Sequence, residues 1–332
     1  MEGLVVLKVL IFGGTGFIGS NVLKLFLLNN AEVHTTYRSL SNLWRVNEVK
    51  NEINLHRADI NIQSTVERII RKVRPDVVIN CSGLVRGFNM KDQKGVINSN
   101  FQNTVNIVNS CINLNVDRFI NTGSAYECGF SNRAISAINC GDRPIGLYGV
   151  TKRAESAYID FINKKYSRNF TTLRLFTPYG YYDSPLRLVP YMFLSLINGL
   201  TPIIKTPDSI RDFIFVEEVA KFYYRIAENP ELLGKATTVN VGTGIPTKVS
   251  EVSSIITNMF GKTYRVENFE RNEPISLFSR GEFYLPLLGR APNRKSLISR
   301  LKKTKEWFEK NKGYYENFNF KRSENTGSNF FN

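Results

Sequence analysis

The stretch IFGGTGFIGSNV, residues 11–22, decides the fold of this chain. The apolar run LKVLIF (7–12) leads into it, and the helical pattern NVLKLFLLNN (21–30) follows it. Its three spaced glycines allow a tight turn, a close backbone approach to a pyrophosphate, and close packing of the helix on the strand. A strand, a glycine-rich turn and a helix in this order predict a dinucleotide-binding site. We expect this cofactor to contact Gly13, Thr15, Gly16, Phe17, Ile18 and Gly19.

Short apolar runs alternate with amphipathic stretches through the first half of the chain. EVHTTY, NLHRADI, DVVINCS and DRFINTGS have the composition of strands, and helical patterns such as STVERIIRKV separate them. This alternation predicts an α/β fold, a doubly wound parallel sheet of the Rossmann type.

The later residues suggest a smaller, mixed α/β domain. We expect the cofactor domain to span 1–175, with segments around 212–242 returning to it, and the substrate domain to span 176–312. Residues 313–332 are rich in Asn and Ser and lack periodicity, which predicts a flexible tail.

The chain is strongly basic, with 44 Lys and Arg against 29 Asp and Glu and a formal charge of +15. Such an excess favours anionic partners, although it also serves solubility. The most basic stretch, RAPNRKSLISRLKKTKEWF (290–308), fits a helix with one apolar stripe and a solvated face. We therefore expect no nucleic-acid interface.

The cysteines and apolar runs indicate a protein of a reducing compartment. Cys81, Cys111, Cys128 and Cys140 are scattered and form no C-x-x-C pair, so we expect four reduced thiols and no zinc site. No apolar run approaches the roughly 18 residues that a membrane span requires. The expected location is cytoplasmic, and with two histidines in the chain we expect no metal.

The end of the second strand distinguishes between nicotinamide cofactors. A carboxylate there would bind the ribose 2′-hydroxyl of NAD, but the letters TYRS (36–39) offer none. Arg38 could instead pair with the 2′-phosphate of NADP. This favours NADP(H) over NAD.

The letters LYGVTK (147–152) place a tyrosine and a lysine four residues apart. On a helix this spacing puts Tyr148 and Lys152 on one face, so both can act on one target. A free phenol has a pKa near about 10 and is a poor base at neutral pH, but a neighbouring cation lowers that pKa.

Six segments in order give the chain a resemblance to the extended short-chain dehydrogenase/reductase family over about residues 7–310. They are GGTGFIG, ADI (58–60), FINTGS (119–124), YGVTK (148–152), SIRDFIFVEEVA (209–220) and VNVGTG (239–244). The resemblance implies that Tyr148 is the general acid or base and that Lys152 tunes it and contacts the cofactor ribose. It also implies cofactor contacts from Asp59, Ile60 and Ser82.

The resemblance further implies a hydroxyl that binds the substrate oxygen. Counting along the strand from Phe119 selects Ser124, whereas counting back from Tyr126 selects Thr122; we prefer Ser124. Family members that dehydrate sugars carry an acid after this hydroxyl, so Ala125 disfavours dehydration.

Local matches at VINCSGLVRG (78–87), SIRDFIFVEEV and ERNE (270–273) look most like CDP-paratose and CDP-abequose synthases. These enzymes reduce a 4-keto-deoxyhexose on a nucleoside diphosphate, for surface polysaccharides such as O-antigen. Carried over, the resemblance implies substrate contacts from Arg86, Thr177, Arg211 and Arg271. The alternatives are a nucleotide-sugar 4-epimerase with tightly bound NAD and a non-catalytic NADP-binding sensor. Members of the family are commonly homodimers.

Overall fold

The computed structural model describes residues 6–38, 43–84, 92–267 and 275–316. The first part of the chain contains β1 (Lys8–Phe12), α1 (Phe17–Leu28), β2 (Glu32–Tyr37), β3 (Asn54–Arg57), α2 (Gln63–Val73), β4 (Val77–Asn80), α3 (Gln93–Ile97), α4 (Asn103–Asn113), β5 (Arg118–Ser124), α5 (Gly146–Tyr166) and β6 (Thr171–Leu175). A 3₁₀ helix at Trp44–Val49 occupies the helical stretch expected between β2 and β3.

In its described residues, the second part contains shorter strands and several α-helices. These are β7 (Thr177–Tyr179), α6 (Leu188–Ile197), β8 (Ile203–Ile204), β9 (Ile210–Arg211), β10 (Phe213–Phe215), α7 (Val216–Glu228), β11 (Thr238–Val241), β12 (Thr247–Lys248), α8 (Val249–Asn258), β13 (Arg265–Val266), β14 (Ser276–Leu277), α9 (Tyr284–Leu288) and α10 (Arg294–Asn311).

The expected doubly wound sheet is confirmed. Seven strands pair in the order β11-β6-β5-β4-β1-β2-β3, and every pair is parallel. The order reverses between β1 and β4, which creates a crevice at the carboxyl ends of these strands. β11 comes from the segment 212–242 and extends the sheet beside β6.

Both faces of this sheet are buried. Along β1, Val9 and Ile11 belong to one apolar cluster, whereas Leu10 and Phe12 belong to the other. Successive side chains of a strand point to opposite faces, so a continuous apolar run is what a sheet covered by helices on both faces needs. Each such side chain contributes about 1.5–3 kcal/mol when fully buried.

A third apolar cluster holds the second part together. It includes Met192 and Phe193 of α6, Ile256 of α8 and Phe308 of α10. The helices of the second part of the chain therefore have an apolar core of their own.

The segment that we expected to begin the flexible tail is folded where the structure describes it. Lys312–Tyr315 form a 3₁₀ helix, and the hydroxyl of Tyr315 donates to the carbonyl of Asp183 at 3.0 Å. Tyr315 is buried because it packs against the rings of Trp44 and Trp307. Residues 317–332 lie outside the described residues.

The expectation of four reduced thiols is wrong. Cys128 and Cys140 form a disulfide, and their Cα atoms are 4.7 Å apart. The intervening loop folds back on itself, so that a Cβ added at Gly141 would lie 2.3 Å from the carbonyl oxygen of Cys128. Scatter along the sequence does not exclude proximity in space. Cys81 and Cys111 are free thiols.

Candidate active site

The glycine loop has the backbone that close approach requires. Gly13 has a φ of +82°, and a Cβ there would lie 2.6 Å from the backbone of Cys81 and Ser82. A Cβ on Gly19 would lie 2.3 Å from the carbonyl oxygen of Gly13. The turn between β1 and α1 can therefore be this tight only with glycine at these two positions.

The residues in front of α1 fit a dinucleotide. Gly16 is the N-cap of α1 and has no side chain to accept from the first amides of the helix, so these amides can donate to a phosphate. A Cβ on Gly16 would meet only the carbonyl oxygen of Gly13, at 3.3 Å. Thr15, Phe17 and Ile18, the other predicted contacts on this loop, are partly exposed at the same end of the sheet.

The remaining predicted cofactor residues lie at the carboxyl ends of neighbouring strands. Arg38 follows β2 and is exposed, and Asp59 and Ile60 follow β3. Ile60 is buried, whereas Asp59 is exposed and accepts from the amide of Asn61 at 3.0 Å. Ser82 follows β4, where its hydroxyl donates to Oδ1 of Asn80 at 2.6 Å.

Tyr148 and Ser124 meet beside the crevice. Tyr148 lies in the first turn of α5 and Ser124 ends β5, and the Ser124 hydroxyl is near enough to the phenol to affect its pKa. Burial raises the pKa of the Tyr148 phenol, whereas Lys152 and the Ser124 hydroxyl lower it; the net effect is a raised pKa. The phenol therefore keeps its proton at neutral pH, as a proton donor must.

Thr122, the other hydroxyl considered for this role, is engaged elsewhere. Its Oγ1 donates to the carbonyl of Asn80 at 2.6 Å and lies 2.7 Å from the hydroxyl of Tyr223. These contacts tie Thr122 to β4 and α7.

Lys152 is buried among acceptors. Its ammonium donates to the carbonyl of Thr122 at 2.9 Å and lies 3.0 Å from Oε1 of Glu155. Burial alone would favour the neutral amine, but Glu155, Tyr148 and Glu127 together outweigh it and the pKa of Lys152 is raised. Asn121 donates to Oε2 of Glu155 at 3.0 Å, which fixes the carboxylate.

Sequence reasoning missed Glu155 and two other residues of the site. Glu127 is buried, accepts from the backbone amide of Ser124 at 2.7 Å and pairs with Arg174, so it anchors the end of β5. Arg187 lies 5.7 Å from the ring of Phe17, and its charge lowers the pKa of Tyr148. The signal for Glu155 was its spacing, three residues beyond Lys152 on one helix face.

The structure describes two of the four predicted substrate residues, Thr177 and Arg211. Thr177 begins β7, and its amide donates to the carbonyl of Asp212 at 3.0 Å. Arg211 is buried in β9, donates to the carbonyls of Ile210 and Ile275, and has a pKa lowered by burial. Arg86 and Arg271 lie outside the described residues.

Two absences hold for the described part of the chain. Among residues 6–38, 43–84, 92–267 and 275–316, no three His, Cys, Asp or Glu side chains cluster in a way that could hold a metal ion. No helix in the same ranges is long and apolar enough to cross a membrane.

Fold and site together define a Rossmann-fold protein of the extended short-chain dehydrogenase/reductase class. The family model for the NAD dependent epimerase/dehydratase family matches residues 9–242. The chain therefore belongs to the NAD dependent epimerase/dehydratase family, whose cofactor is a nicotinamide dinucleotide.

Relatives of the chain are named as nucleotide-sugar enzymes. A protein of Methanocaldococcus jannaschii, provisionally named UDP-glucose 4-epimerase, is 30% identical over 266 residues, which cover 76% of this chain and 82% of the relative. The CDP-abequose synthase of Salmonella typhimurium is 25% identical over 246 residues, covering 71% of this chain and 75% of the relative.

The fold also matches that of a solved dehydratase. The dTDP-glucose 4,6-dehydratase of Bacillus anthracis, in complex with NAD, is 18% identical and superposes with a TM-score of 0.82. The match covers 93% of this chain and 98% of the dehydratase. At this identity the likeness concerns the fold alone.

Proposed function

We propose that this protein is an NADPH-dependent reductase of the 4-keto group of a nucleotide-activated deoxysugar. The observation that carries the proposal is the surroundings of Tyr148, a protonated phenol whose pKa is affected by the Ser124 hydroxyl and by the buried Lys152 four residues along α5. The relatives named CDP-abequose synthase and UDP-glucose 4-epimerase support a nucleotide-sugar substrate.

Ser124, Tyr148 and Lys152 each have a different role in the reduction of the ketone. Ser124 donates a hydrogen bond to this oxygen and fixes its distance from Tyr148. Tyr148 gives its proton to the oxygen as the carbonyl carbon becomes tetrahedral. Lys152 keeps its positive charge beside the phenolate that remains, which lowers the energy of that state.

The cofactor supplies the hydride when it is bound, and the product is an alcohol with NADP⁺. Gly13, Gly16 and the N-terminus of α1 would hold its pyrophosphate. Asp59 and Ile60 would contact the adenine, Ser82 the nicotinamide half and Lys152 the ribose.

Arg38 is the residue that favours NADPH over NADH in this proposal. It stands at the end of β2, where NAD-dependent sites carry an acid, and it would pair with the 2′-phosphate. A charge-assisted pair contributes about 1.5–3 kcal/mol, which corresponds to a preference of roughly ten- to hundredfold.

The substrate would lie against the second part of the chain. On the basis of the family resemblance, Arg211 on β9 and Thr177 on β7 would contact the nucleotide diphosphate. Arg86 and Arg271 are proposed partners of the same group on the basis of the family resemblance.

We propose that the protein is a homodimer. Val150, Ala154 and Phe161 follow one another on a face of α5, and Val150 and Phe161 are 48% and 53% exposed. Large apolar side chains in a row on a helix surface are typical of a subunit interface.

The test is a reduction assay with CDP-, dTDP-, GDP- and UDP-linked 4-keto-6-deoxyhexoses. We expect one of them to oxidise NADPH and yield the 4-hydroxy sugar. The Tyr148→Phe variant should lose turnover by about 10²–10⁴-fold while still binding NADPH. Unchanged turnover in that variant would refute the mechanism. Interconversion of UDP-glucose and UDP-galactose without added cofactor would favour the epimerase instead.

A further inference from the structure

A second cavity lies away from the crevice, beside the edge of the sheet formed by β6 and β11. It is partly enclosed and has a volume of about 680 Å³. Its walls come from α5, the strands β6 and β11, and the segments 136–140 and 280–283. Nothing in the proposed reaction uses it.

Four cations line this cavity: Arg153, Arg174, Lys235 and Arg280. Arg153, Lys235 and Arg280 form no ion pair with any residue that the structure describes. Like charges that share a cavity repel one another, and a bound anion removes that repulsion. Against these four cations the lining has two carboxylates, Asp160 and Glu282, so the excess of positive charge favours an anionic ligand.

Hydrogen bonds hold two of these cations, Arg174 and Arg153, in place. Arg174 is only 5% exposed; its Nε donates to Glu127 at 2.9 Å and its Nη1 to the carbonyl of Ala137 at 3.0 Å. Arg153 donates from Nη1 to the sulfur of Cys140 at 3.1 Å. Sulfur is a weak acceptor and does not neutralise the guanidinium, so the contact orients Arg153 without using up its charge.

The acidic side chains of the cavity are bound to its walls. Asp160 accepts from the hydroxyl of Thr237 at 3.5 Å, and Oε1 of Glu282 accepts from the amide of Ala137 at 2.6 Å. The other oxygen of Glu282, Oε2, is buried and has no hydrogen-bond partner among the described residues. A buried acceptor of this kind calls for a donor from the ligand.

From this arrangement we infer a second ligand site, for a small phosphorylated carbohydrate. The phosphate of the ligand forms ion pairs with Arg153, Lys235 and Arg280, and a sugar hydroxyl donates to Glu282. The volume is within the roughly 300–1,000 Å³ of small-molecule sites. The site is independent of the reaction at Tyr148, so its test needs no turnover.

The experiment is a calorimetric titration of the NADPH-saturated protein with glucose 1-phosphate, inorganic phosphate and glucose. We expect saturable binding of glucose 1-phosphate, weaker binding of phosphate and none of glucose. The double variant Lys235→Glu/Arg280→Glu should bind glucose 1-phosphate at least tenfold more weakly, since each charge-assisted contact contributes about 1.5–3 kcal/mol. Both residues are exposed, so the variant should fold as the wild type does.

The matched control is Lys302→Glu/Lys303→Glu, which makes the same charge change on the exposed face of α10. It should leave binding unchanged. Absence of binding to the wild type, or equal binding by the two double variants, overturns the site. A Glu282→Gln variant should reduce the ratio of the affinity for glucose 1-phosphate to the affinity for phosphate. An unchanged ratio would show that no sugar hydroxyl donates to Glu282.

Discussion

Oε1 of Glu155 lies 3.0 Å from Nζ of Lys152, and both side chains are buried. The carboxylate compensates part of the charge with which Lys152 would stabilise a phenolate at Tyr148. Its effect on Tyr148 is to raise the pKa of the phenol, together with burial. Glu155 therefore opposes Lys152 and favours the proton-donating form of the tyrosine, which a reductase needs.

Replacing Glu155 with Gln should lower the pKa of Tyr148. The amide can still accept from Asn121, but it no longer compensates the charge of Lys152. Ultraviolet difference titration of tyrosine ionisation, with Tyr148→Phe as the reference, measures the change. The control is Asp160→Asn, which removes a charge from the same helix and should leave the pKa of Tyr148 unchanged. An unchanged or raised pKa in Glu155→Gln would contradict the role of the pair.

Replacing Arg38 with Ala should weaken NADPH binding by roughly ten- to hundredfold, because a charge-assisted contact with the 2′-phosphate is lost. NADH lacks this phosphate and should bind as before. Fluorescence titration with both cofactors gives the two affinities, and Arg71→Ala, on the exposed face of α2, is the control. Equal losses for NADPH and NADH would mean that Arg38 does not contact the 2′-phosphate.

The disulfide should be visible by alkylation and mass spectrometry. Under denaturing, non-reducing conditions we expect only Cys81 and Cys111 to react, and all four cysteines after reduction. In the native protein both free thiols should react slowly, since burial raises the pKa of Cys81 to about 11. Four alkylated cysteines without reductant would show that the bond is absent.

Removing this bond should also destabilise the protein. A loop of this size predicts a loss of about 2–4 kcal/mol in the free energy of unfolding for Cys128→Ser/Cys140→Ser. Urea denaturation of the variant and the wild type gives the difference. A variant as stable as the oxidised wild type would count against a structural disulfide.

Asp183 should make stability depend on pH. Burial raises its pKa from 3.8 to about 6, so the folded chain holds a proton that the unfolded chain releases between these values. The contribution of Asp183 to the free energy of unfolding is therefore fully present below pH 3.8. It is lost as the pH rises through about 6. Between acidic and neutral pH, the free energy of unfolding of Asp183→Asn should rise by up to about 3 kcal/mol relative to that of the wild type.

Urea denaturation of both proteins at several pH values measures this gain. Asp208→Asn removes an exposed carboxylate of the same kind and should show almost no pH-dependent difference. A constant difference between Asp183→Asn and the wild type across the pH range would refute the raised pKa.

The proposed dimer should depend on Phe161. Phe161→Glu places a charge in the apolar stripe of α5 and should yield a monomer by sedimentation equilibrium. Leu285→Glu is the control, because Leu285 is 55% exposed on α9, away from the stripe. A dimer that survives Phe161→Glu and dissociates in Leu285→Glu would place the interface elsewhere.

The sheet could be predicted because its causes are local in the sequence. Apolar runs such as that of β1 need helices on both faces, and Gly13 and Gly19 allow the turn into α1. The pairing of Ser124 with Tyr148 was accessible only through the order of family segments, since no spacing links residues 24 positions apart. In the structure the Ser124 hydroxyl is near enough to Tyr148 to lower the pKa of the phenol.

The parts that sequence did not reveal depend on contacts through space. The disulfide needs the fold-back of the loop between β5 and α5, which no residue spacing indicates. Glu127 anchors Ser124 only because Arg174, on the neighbouring strand, reaches it. Tyr315 is buried by an aromatic cluster that gathers residues from both ends of the chain.

The most direct measurement is the identity of the cofactor. The purified protein is denatured, any released nucleotide is identified by mass spectrometry, and the emptied site is titrated with NADPH and NADH. Released NADP(H), or an empty site that binds NADPH more tightly than NADH, is the result expected of a reductase with an exchangeable cofactor. Tightly retained NAD would contradict the role of Arg38 and make the 4-epimerase the better account of this site.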